Sequence, residues 1–424
     1  MNERVNPLSE QRKHREHRAK IPATALARLL GAAVLCFAAV DCVADAESDD
    51  DVENERVDTQ SSALTTSPEK ALASRLGLPH RLAIGLGNDA DTSYDPNKVS
   101  GYSLGPRIDI HYMYLSGLPG EGGWTDWNAP FGHYATMHIN AAKSRGIVPM
   151  FTLYQAAAWG EGNLSAFNND AFMTKYWRGV RTMFQKLAEG GVPAIAHIEP
   201  DLWGYTQKRG EDPSAVPMRV GALVPECADL PANVAGFGKC VVRLGRGIAP
   251  KVAIGLSASE FGAYTNGVPD PGRVARYLNK AGGADADLVV VETLDRDAGC
   301  FEQASDPSCK RSGSFYWDEA NVRHPNFRDH LTWARTIRTV TGKPLLWWQM
   351  PLGVPNGAPG GGAGRYRDNR VRYVFSHAWE FAEAGGIGAV FGTGAKNQTT
   401  VLTDGGQFRS ALTKYLSYGG NGLN

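Results

Sequence analysis

Two acidic residues, Glu199 and Asp201, follow directly after a short apolar run and are separated by one proline. The run 193–198 has the small and branched side chains of a buried parallel strand, and Pro200 lacks the amide hydrogen that would continue it. We therefore expect both carboxyl groups at the C-terminal end of a strand, where parallel α/β folds place their functional sites. The alternative is structural: Asp201 would cap the next helix, and Glu199 would have a buried partner.

Carboxyl groups also follow two later apolar stretches. Glu292 lies in the stretch 287–293, and Glu260 lies just beyond the stretch 251–258. A pair of carboxyl groups can act as the proton donor and as the base or nucleophile of glycosidic bond cleavage. Glu292 is the first choice for the second carboxylate, and Glu260 is the reserve. The candidate catalytic residues are therefore Glu199, Asp201, Glu292 and Glu260.

Aromatic and polar side chains lie at or just beyond the same strand ends. Tryptophan and tyrosine offer flat apolar faces against which a sugar ring can pack. The candidate substrate-binding residues are Asn88, Asp89, His111, Tyr154, Gln155, His197, Trp203, Tyr205, Trp348 and Gln349. The alternative is that Trp348 packs outward against a helix, because Trp347 has the opposite parity and only one of the two can face the inside of a barrel.

Eight short apolar stretches recur along the chain and alternate with helical segments. We assign strands to 81–87, 108–114, 147–154, 193–199, 251–258, 287–293, 344–349 and 387–392. Helices are expected at 131–145, 170–188, 325–341 and 370–384, each followed closely by a glycine that suits a helix C-cap. The alternation predicts a (β/α)8 TIM barrel as a single α/β domain, with a doubly wound parallel sheet as the alternative.

The N-terminal region has the features of an export signal. Residues 1–46 begin with a basic segment, continue through an apolar run and end in a small-x-small triplet, which predicts cleavage after Ala46. An uncleaved membrane anchor is the alternative. Residues 47–66 are acidic and rich in serine and threonine, so we expect a disordered linker there. The barrel would then occupy residues 67–424 of a secreted, extracytoplasmic protein.

The composition limits the partners and cofactors. Lysine plus arginine equals aspartate plus glutamate, at 44 each, so the charge balance gives no reason to expect a nucleic acid or a membrane as partner. We expect a monomer. The first strand lacks a His-x-His pattern, and neither His-Glu-x-x-His nor Cys-x-x-Cys occurs, so we expect no metal and no other cofactor.

Four cysteines remain once the signal is removed. An even number in an exported chain favours disulfides. We predict the pairs Cys227 with Cys240 and Cys300 with Cys309, because each closes a short loop and the cross-pairings would span much longer stretches.

Paired acids among aromatic residues, in an exported chain without a metal pattern, favour one class of activity. The sequence predicts a glycoside hydrolase that cleaves a poly- or oligosaccharide by carboxylate acid and base chemistry. The alternative is a lectin-like barrel that binds carbohydrate without cleaving it.

The stretch Ile198-Glu199-Pro200-Asp201 resembles the Glu-Pro-Asp element of glycoside hydrolase family 6. The stretches 252–264 and 270–295 are laid out similarly to the segments that follow this element in that family. The resemblance implies a secreted barrel hydrolase in which Asp201 is the proton donor. Side-chain alternation along the strand favours Glu199 instead, and the two remain alternatives here.

A second comparison is with retaining barrel hydrolases that carry Asn-Glu-Pro on strand four and a nucleophilic glutamate on strand seven. Ile198 stands at the asparagine position, and strand seven ends in Gln349. This difference favours pairing the strand-four acid with an acid on strand five or six.

Overall fold

The computed structural model describes residues 66–88, 100–303, 309, 314–355 and 362–423. The predicted signal 1–46, the linker up to residue 65 and the candidate binding residue Asp89 lie outside these ranges.

Eight parallel strands form a closed barrel. They are β1 (Ala83–Gly87), β2 (Ile110–Ser116), β3 (Val148–Tyr154), β4 (Ala194–Ile198), β5 (Val252–Ser257), β6 (Leu288–Val291), β7 (Leu345–Met350) and β8 (Gly386–Gly392). Each strand pairs with the next along the chain, and β1 pairs with β8, with Ala83 opposite Gly388. The barrel is confirmed, and the doubly wound sheet is excluded because the sheet has no free edge.

The strand sequences explain why both faces of the sheet are covered. In β6 every side chain is buried: Leu288 and Val290 pack inside the barrel, while Val289 and Val291 pack outside with the side chains of the helices. Large side chains from other strands, such as Met150 and Leu346, also fill the interior. The barrel is a packed core, so a ligand can reach only its ends.

The helices surround the barrel. They are α1 (Pro68–Leu76), α2 (His133–Lys143), α3 (Asp170–Gly190), α4 (Leu202–Arg209), α5 (Val234–Ile248), α6 (Pro271–Lys280), α7 (Ala298–Gln303), α8 (Phe327–Thr341), α9 (Arg370–Ser376), α10 (Ala378–Glu383) and α11 (Gln407–Ser417). Three of the four helices expected from the sequence are present as single helices. In the part of the chain that the structure describes, every helix is too short or too polar to span a bilayer.

The stretch 370–384, expected as one helix, is divided into α9 and α10. The division lies at His377, whose φ of −129° and ψ of 24° are not helical. The His377 ring instead makes a hydrogen bond with the carboxylate of Glu380 at 2.9 Å, across the start of α10. A local side-chain contact of this kind competes with continuous helix, and a 3.6-residue periodicity does not reveal it.

Both predicted cysteine pairs stand at disulfide distance. The Cα atoms of Cys227 and Cys240 are 5.6 Å apart, and those of Cys300 and Cys309 are 5.4 Å apart. These separations lie in the usual range for a disulfide. The first pair ties the segment before α5 to α5 itself, and the second ties α7 to the segment that follows it.

Candidate active site

A cleft of about 560 Å³ lies at the C-terminal end of the barrel strands. We call it the central cleft. Its lining residues belong to six different strands or to the loops that follow them: Tyr114, Tyr154, Glu161, Pro200, Asp201, Glu292, Arg296, Trp348, Gln349 and Gly394. A smaller side pocket of about 260 Å³ shares Tyr154, Glu161 and Asp201 with it and extends to Tyr205 and Phe167. The lining thus combines acidic and aromatic side chains.

Asp201 and Glu292 line the same cleft. Asp201 lies three residues beyond the end of β4, and Glu292 is the first residue after β6. Both are half-buried. Asp201 occupies the N-cap position of α4, yet its side chain makes no capping hydrogen bond to that helix. The structural alternative for Asp201, a helix cap, is therefore absent.

Glu199 lies apart from this cleft. It is fully buried, has a positive φ of 50°, and accepts hydrogen bonds from the backbone N–H groups of Gln155 at 3.0 Å and Ala156 at 3.1 Å. Burial raises the pKa of Glu199 to about 8, although both hydrogen bonds act in the opposite direction. The carboxyl group holds the start of the loop after β3, which is the structural alternative considered for it.

Glu161 is a cleft residue that the sequence pattern does not predict. It lies in the loop after β3, lines both the central cleft and the side pocket, and accepts a hydrogen bond from the hydroxyl of Tyr154. Glu161 lies in a loop well beyond the end of β3, where neither strand nor helix periodicity marks a residue. The only available clue was an acid in a loop that follows a candidate strand.

Arg296 and Tyr114 are two further lining residues that were not selected from the sequence. Arg296 is 5% exposed and forms an ion pair with Asp295. The amide nitrogen of Gln349 donates to the backbone oxygen of Asp295 at 3.4 Å, and the hydroxyl of Tyr114 donates to the amide oxygen of Gln349. This chain of contacts fixes the wall of the cleft next to Glu292.

The floor of the cleft is Trp348, which is 1% exposed and faces the barrel interior. Trp347 faces outward and donates its ring N–H to His330 at 2.8 Å, so the outward alternative for Trp348 does not apply. Trp348 packs edge-on against His197, with ring centroids 4.6 Å apart. Within the described residues, its Nε1 is a buried donor without a hydrogen-bond partner.

His197 supports the floor from below. Its two ring nitrogens make hydrogen bonds with the hydroxyls of Thr152 at 3.1 Å and Ser257 at 2.6 Å. Burial lowers the pKa of His197 to about 3, so the ring is neutral near pH 7. His197 is not a lining residue, and its contact with Trp348 places it one layer beneath the cleft.

Three of the remaining sequence-selected residues are enclosed outside the barrel interior. Trp203 is 2% exposed and donates its ring N–H to the backbone oxygen of Ile198 at 2.9 Å. His111 stacks near His138 of α2, with centroids 6.3 Å apart. The side-chain nitrogen of Gln155 donates to a backbone oxygen of α3 at 3.2 Å. The structure brings none of the three to the cleft.

Two other candidates lie at the strand ends without lining the cleft. Asn88 donates its side-chain N–H to the backbone oxygen of Thr393 at 2.6 Å, which joins the ends of β1 and β8. Glu260 begins a short 3-10 helix after β5 and is exposed. By contrast Tyr154, Tyr205, Trp348 and Gln349 line the central cleft or the side pocket. In the described ranges, no three His, Cys, Asp or Glu side chains converge as they would around a metal ion.

The fold and site define a (β/α)8 barrel with an acidic, aromatic cleft at the C-terminal end of its strands. No protein-family model and no curated protein matches the chain. Its structural neighbours include TIM-barrel glycoside hydrolases. One is a xyloglucan-specific β-1,4-glucanase of glycoside hydrolase family 5 from a ruminal metagenomic library, with 11% identity, a TM-score of 0.49, and coverage of 84% of this chain and 97% of that chain.

Two further neighbours show the same level of similarity. An endo-β-1,4-mannanase from Thermotoga petrophila has 12% identity and a TM-score of 0.46, with 80% of this chain and 77% of that chain covered. A D-psicose 3-epimerase from Clostridium cellulolyticum H10 has 14% identity and a TM-score of 0.41, with 80% and 98% covered. Hydrolases and an epimerase share this architecture, so the likeness carries no conclusion about activity.

Proposed function

We propose that the protein is an exported glycoside hydrolase that cleaves glycosidic bonds in a poly- or oligosaccharide. The observation that carries this proposal is that Asp201 and Glu292, from different strands, line one cleft together with aromatic side chains. Cleavage of a glycosidic bond needs one carboxyl group to protonate the leaving oxygen and a second to act as base or nucleophile.

Asp201 is the better candidate for the proton donor. It lines both the central cleft and the side pocket, so a sugar chain that passes from one to the other would carry a glycosidic oxygen past it. The resemblance of the Glu-Pro-Asp sequence to glycoside hydrolase family 6 supports the same assignment. Glu199 instead binds the backbone of the loop after β3 and lines neither the central cleft nor the side pocket.

Glu292 is the better candidate for the second carboxylate. It lines the central cleft beside Arg296 and Gln349, whose N–H groups can hold an acid in its charged form. Trp348 lines the floor but is almost fully buried, so the half-buried rings of Tyr114 and Tyr154 are the aromatic faces that a bound sugar would meet. The export part of the proposal is supported by the signal-like residues 1–46 and by the two cysteine pairs at disulfide distance.

The test of this function is release of reducing sugar by the purified protein across a panel of neutral, amino-bearing and acidic polysaccharides. We expect activity on at least one member. Silence across the panel, combined with binding of a sugar in calorimetry, would overturn the hydrolase and identify a carbohydrate-binding barrel instead.

A further inference from the structure

An exposed tryptophan lies on the rim of the barrel, next to the side pocket. Among the described tryptophans, Trp159 and Trp379 are the exposed ones, at 39% and 48%. Trp159 belongs to the loop after β3, which contributes six lining residues to the side pocket: Ala156, Ala157, Glu161, Gly162, Asn163 and Leu164. The side-chain nitrogen of Asn163 donates to the backbone oxygen of Trp159 at 3.0 Å. Trp159 therefore directly adjoins the wall of the pocket.

The Trp159 ring is held in place although it is exposed. Its Nε1–H donates to the carboxylate of Glu121 at 3.1 Å, and its ring packs against that of Phe172, with centroids 5.1 Å apart. Glu121 lies in the loop after β2, and Phe172 lies in the first turn of α3, so both contacts are at the cleft end of the barrel. A ring that is already ordered loses little conformational entropy when a ligand packs on it.

The groups beside Trp159 indicate the kind of ligand. Glu121 also accepts a hydrogen bond from the ammonium group of Lys175 at 2.6 Å, and these two side chains are 30% and 39% exposed. A carboxylate and an ammonium group can exchange further hydrogen bonds with hydroxyl groups while they stay paired. The tryptophan ring offers a flat apolar surface to the C–H groups of a sugar. An apolar surface with hydrogen-bonding groups at its edge suits a neutral, hydroxyl-rich sugar unit.

We propose that Trp159, with Glu121 and Lys175 at its edge, forms an outer subsite that binds a sugar unit of a chain leaving the side pocket. The ligand is then an extended oligo- or polysaccharide that occupies the central cleft, the side pocket and Trp159 in turn. This inference rests on the proposed function only in placing a glycan in the cleft. Asp201 lines both the cleft and the side pocket, so a chain that passes Asp201 reaches the loop that carries Trp159.

The first test is calorimetric binding of β-linked oligosaccharides of glucose, mannose, xylose and N-acetylglucosamine, each from disaccharide to octasaccharide. The protein carries Asp201→Asn, so that bound chains stay intact. We expect the affinity for at least one series to rise with chain length until a sugar unit reaches Trp159. Absence of binding to every member, or an affinity independent of length, overturns the outer subsite. The proposed function is tested separately by release of reducing sugar, and its failure leaves length-dependent binding in place.

The second test adds Trp159→Ala in the same background. We expect long chains to bind on the order of tenfold more weakly and short chains to bind as before. Trp159→Phe, which keeps a flat ring but loses the hydrogen bond to Glu121, should retain most of the affinity for long chains. If Trp159 served only to join the two loops, both variants would weaken binding equally at every length, and this result overturns the subsite. Circular dichroism checks that the fold is unchanged.

The matched control is Trp379→Ala, which removes the other exposed tryptophan. Trp379 lies on α10, which leads into the N-terminal end of β8, so it lies toward the opposite end of the barrel from the cleft. This variant should leave the affinity unchanged at every chain length. Equal losses for long chains in Trp379→Ala and Trp159→Ala, or no loss in Trp159→Ala, would overturn the assignment of the subsite to Trp159.

Discussion

At the scale of single residues, the two acids of the Glu-Pro-Asp sequence have opposite surroundings. Glu199 is enclosed and bound to two backbone N–H groups, whereas Asp201 is half-buried and lines the cleft. The chemical consequence is that the acid with the raised pKa is not the acid that a substrate would meet. Their roles can be separated by substitution.

We expect Asp201→Asn and Glu292→Gln each to lower turnover by on the order of 10²-fold or more, since each removes a carboxyl group assigned to acid or base catalysis. The measurement is reducing-sugar release on the substrate found in the panel. Circular dichroism should show an unchanged fold. Near wild-type rates in both variants would place the chemistry elsewhere on the barrel.

For Glu199 we expect a loss of stability. Glu199→Ala leaves the N–H groups of Gln155 and Ala156 buried without an acceptor, so the free energy of unfolding should fall by roughly 2–5 kcal/mol. Glu199→Gln keeps one acceptor oxygen and should cost less. The measurement is urea unfolding of both variants. Complete loss of turnover in Glu199→Gln at unchanged stability would instead make Glu199 a catalytic residue.

Trp203 and Tyr205 provide a matched aromatic pair. The sequence predicts substrate binding for both, but the structure encloses Trp203 and leaves Tyr205 at the side pocket. Trp203→Ala should lower the free energy of unfolding by about 3–5 kcal/mol because it leaves a large cavity. Tyr205→Ala should chiefly weaken sugar binding. A Trp203→Ala variant with normal thermal stability and weak binding would contradict this division.

Side-chain alternation predicts that Glu199 faces the barrel interior, but its carboxyl group binds the start of the loop after β3 instead. Alternation assumes an extended strand, and it correctly places His197 inside the barrel. The strand ends at Ile198, however, and the φ of 50° at Glu199 turns its side chain away from the alternating pattern. A backbone angle of this kind is set by tertiary contacts and has no signature in residue type.

At the scale of elements, three barrel strands are followed or ended by a non-glycine residue with positive φ. They are Asn88 after β1 at 46°, Glu199 after β4 at 50°, and Gln349 in β7 at 54°. Each of the three side chains makes a hydrogen bond with a backbone atom of a segment that follows another strand. The unfavourable backbone conformation persists because neighbouring loops fix it.

The strands and most helices could be predicted because a short stretch of residues shows by its apolar side chains which segments are buried. Stretches such as 288–291 are apolar throughout, and glycines such as Gly342 end helices with φ of 69°. Glu161 and Arg296 could not be predicted, because loops bring them to the cleft and no periodicity governs a loop. Contacts between loops depend on the closed barrel as a whole.

The two cysteine pairs give a prediction about covalent links within the loops. Peptide mapping without reduction should recover Cys227 linked to Cys240 and Cys300 linked to Cys309. Replacing both Cys227 and Cys240 by alanine should lower the free energy of unfolding by about 2–4 kcal/mol, since the unfolded chain regains freedom. Recovery of Cys227 linked to Cys300, or of four free thiols, would contradict the pairing.

At the scale of the whole molecule, buried ionisable groups make stability depend on pH. Burial lowers the pKa of His138, His197 and His330 to about 3 each. Below pH ~6.5 the unfolded chain binds protons that these folded histidines do not, so each costs up to ~1.4 kcal/mol of stability per pH unit. Burial raises the pKa of Glu199 and Asp297 to about 8. The free energy of unfolding therefore falls as the pH rises from ~4, where the unfolded chain releases these protons, to about 8.

The three histidines and two acids together predict maximum stability close to pH ~6.5. Below this pH the histidines make the free energy of unfolding rise with pH, and above it the acids make it fall. Urea unfolding between pH ~4 and ~8.5 measures the profile. His138→Phe should flatten the acidic side, since one of the three histidines is removed. A stability that rises steadily towards pH ~4, or an acidic slope unchanged by His138→Phe, would contradict this account.

The pairing of β1 with β8 has a consequence for biosynthesis. Ala83 lies opposite Gly388, so the first strand meets its last neighbour only after roughly 300 further residues have been made. At a synthesis rate of about 5–20 residues per second, that delay is about 15–60 s. Throughout it β1 keeps one edge without a hydrogen-bonded neighbour, and such edges are where chains join one another in aggregates. We therefore expect this edge of β1 to need protection from other chains until the last strand arrives.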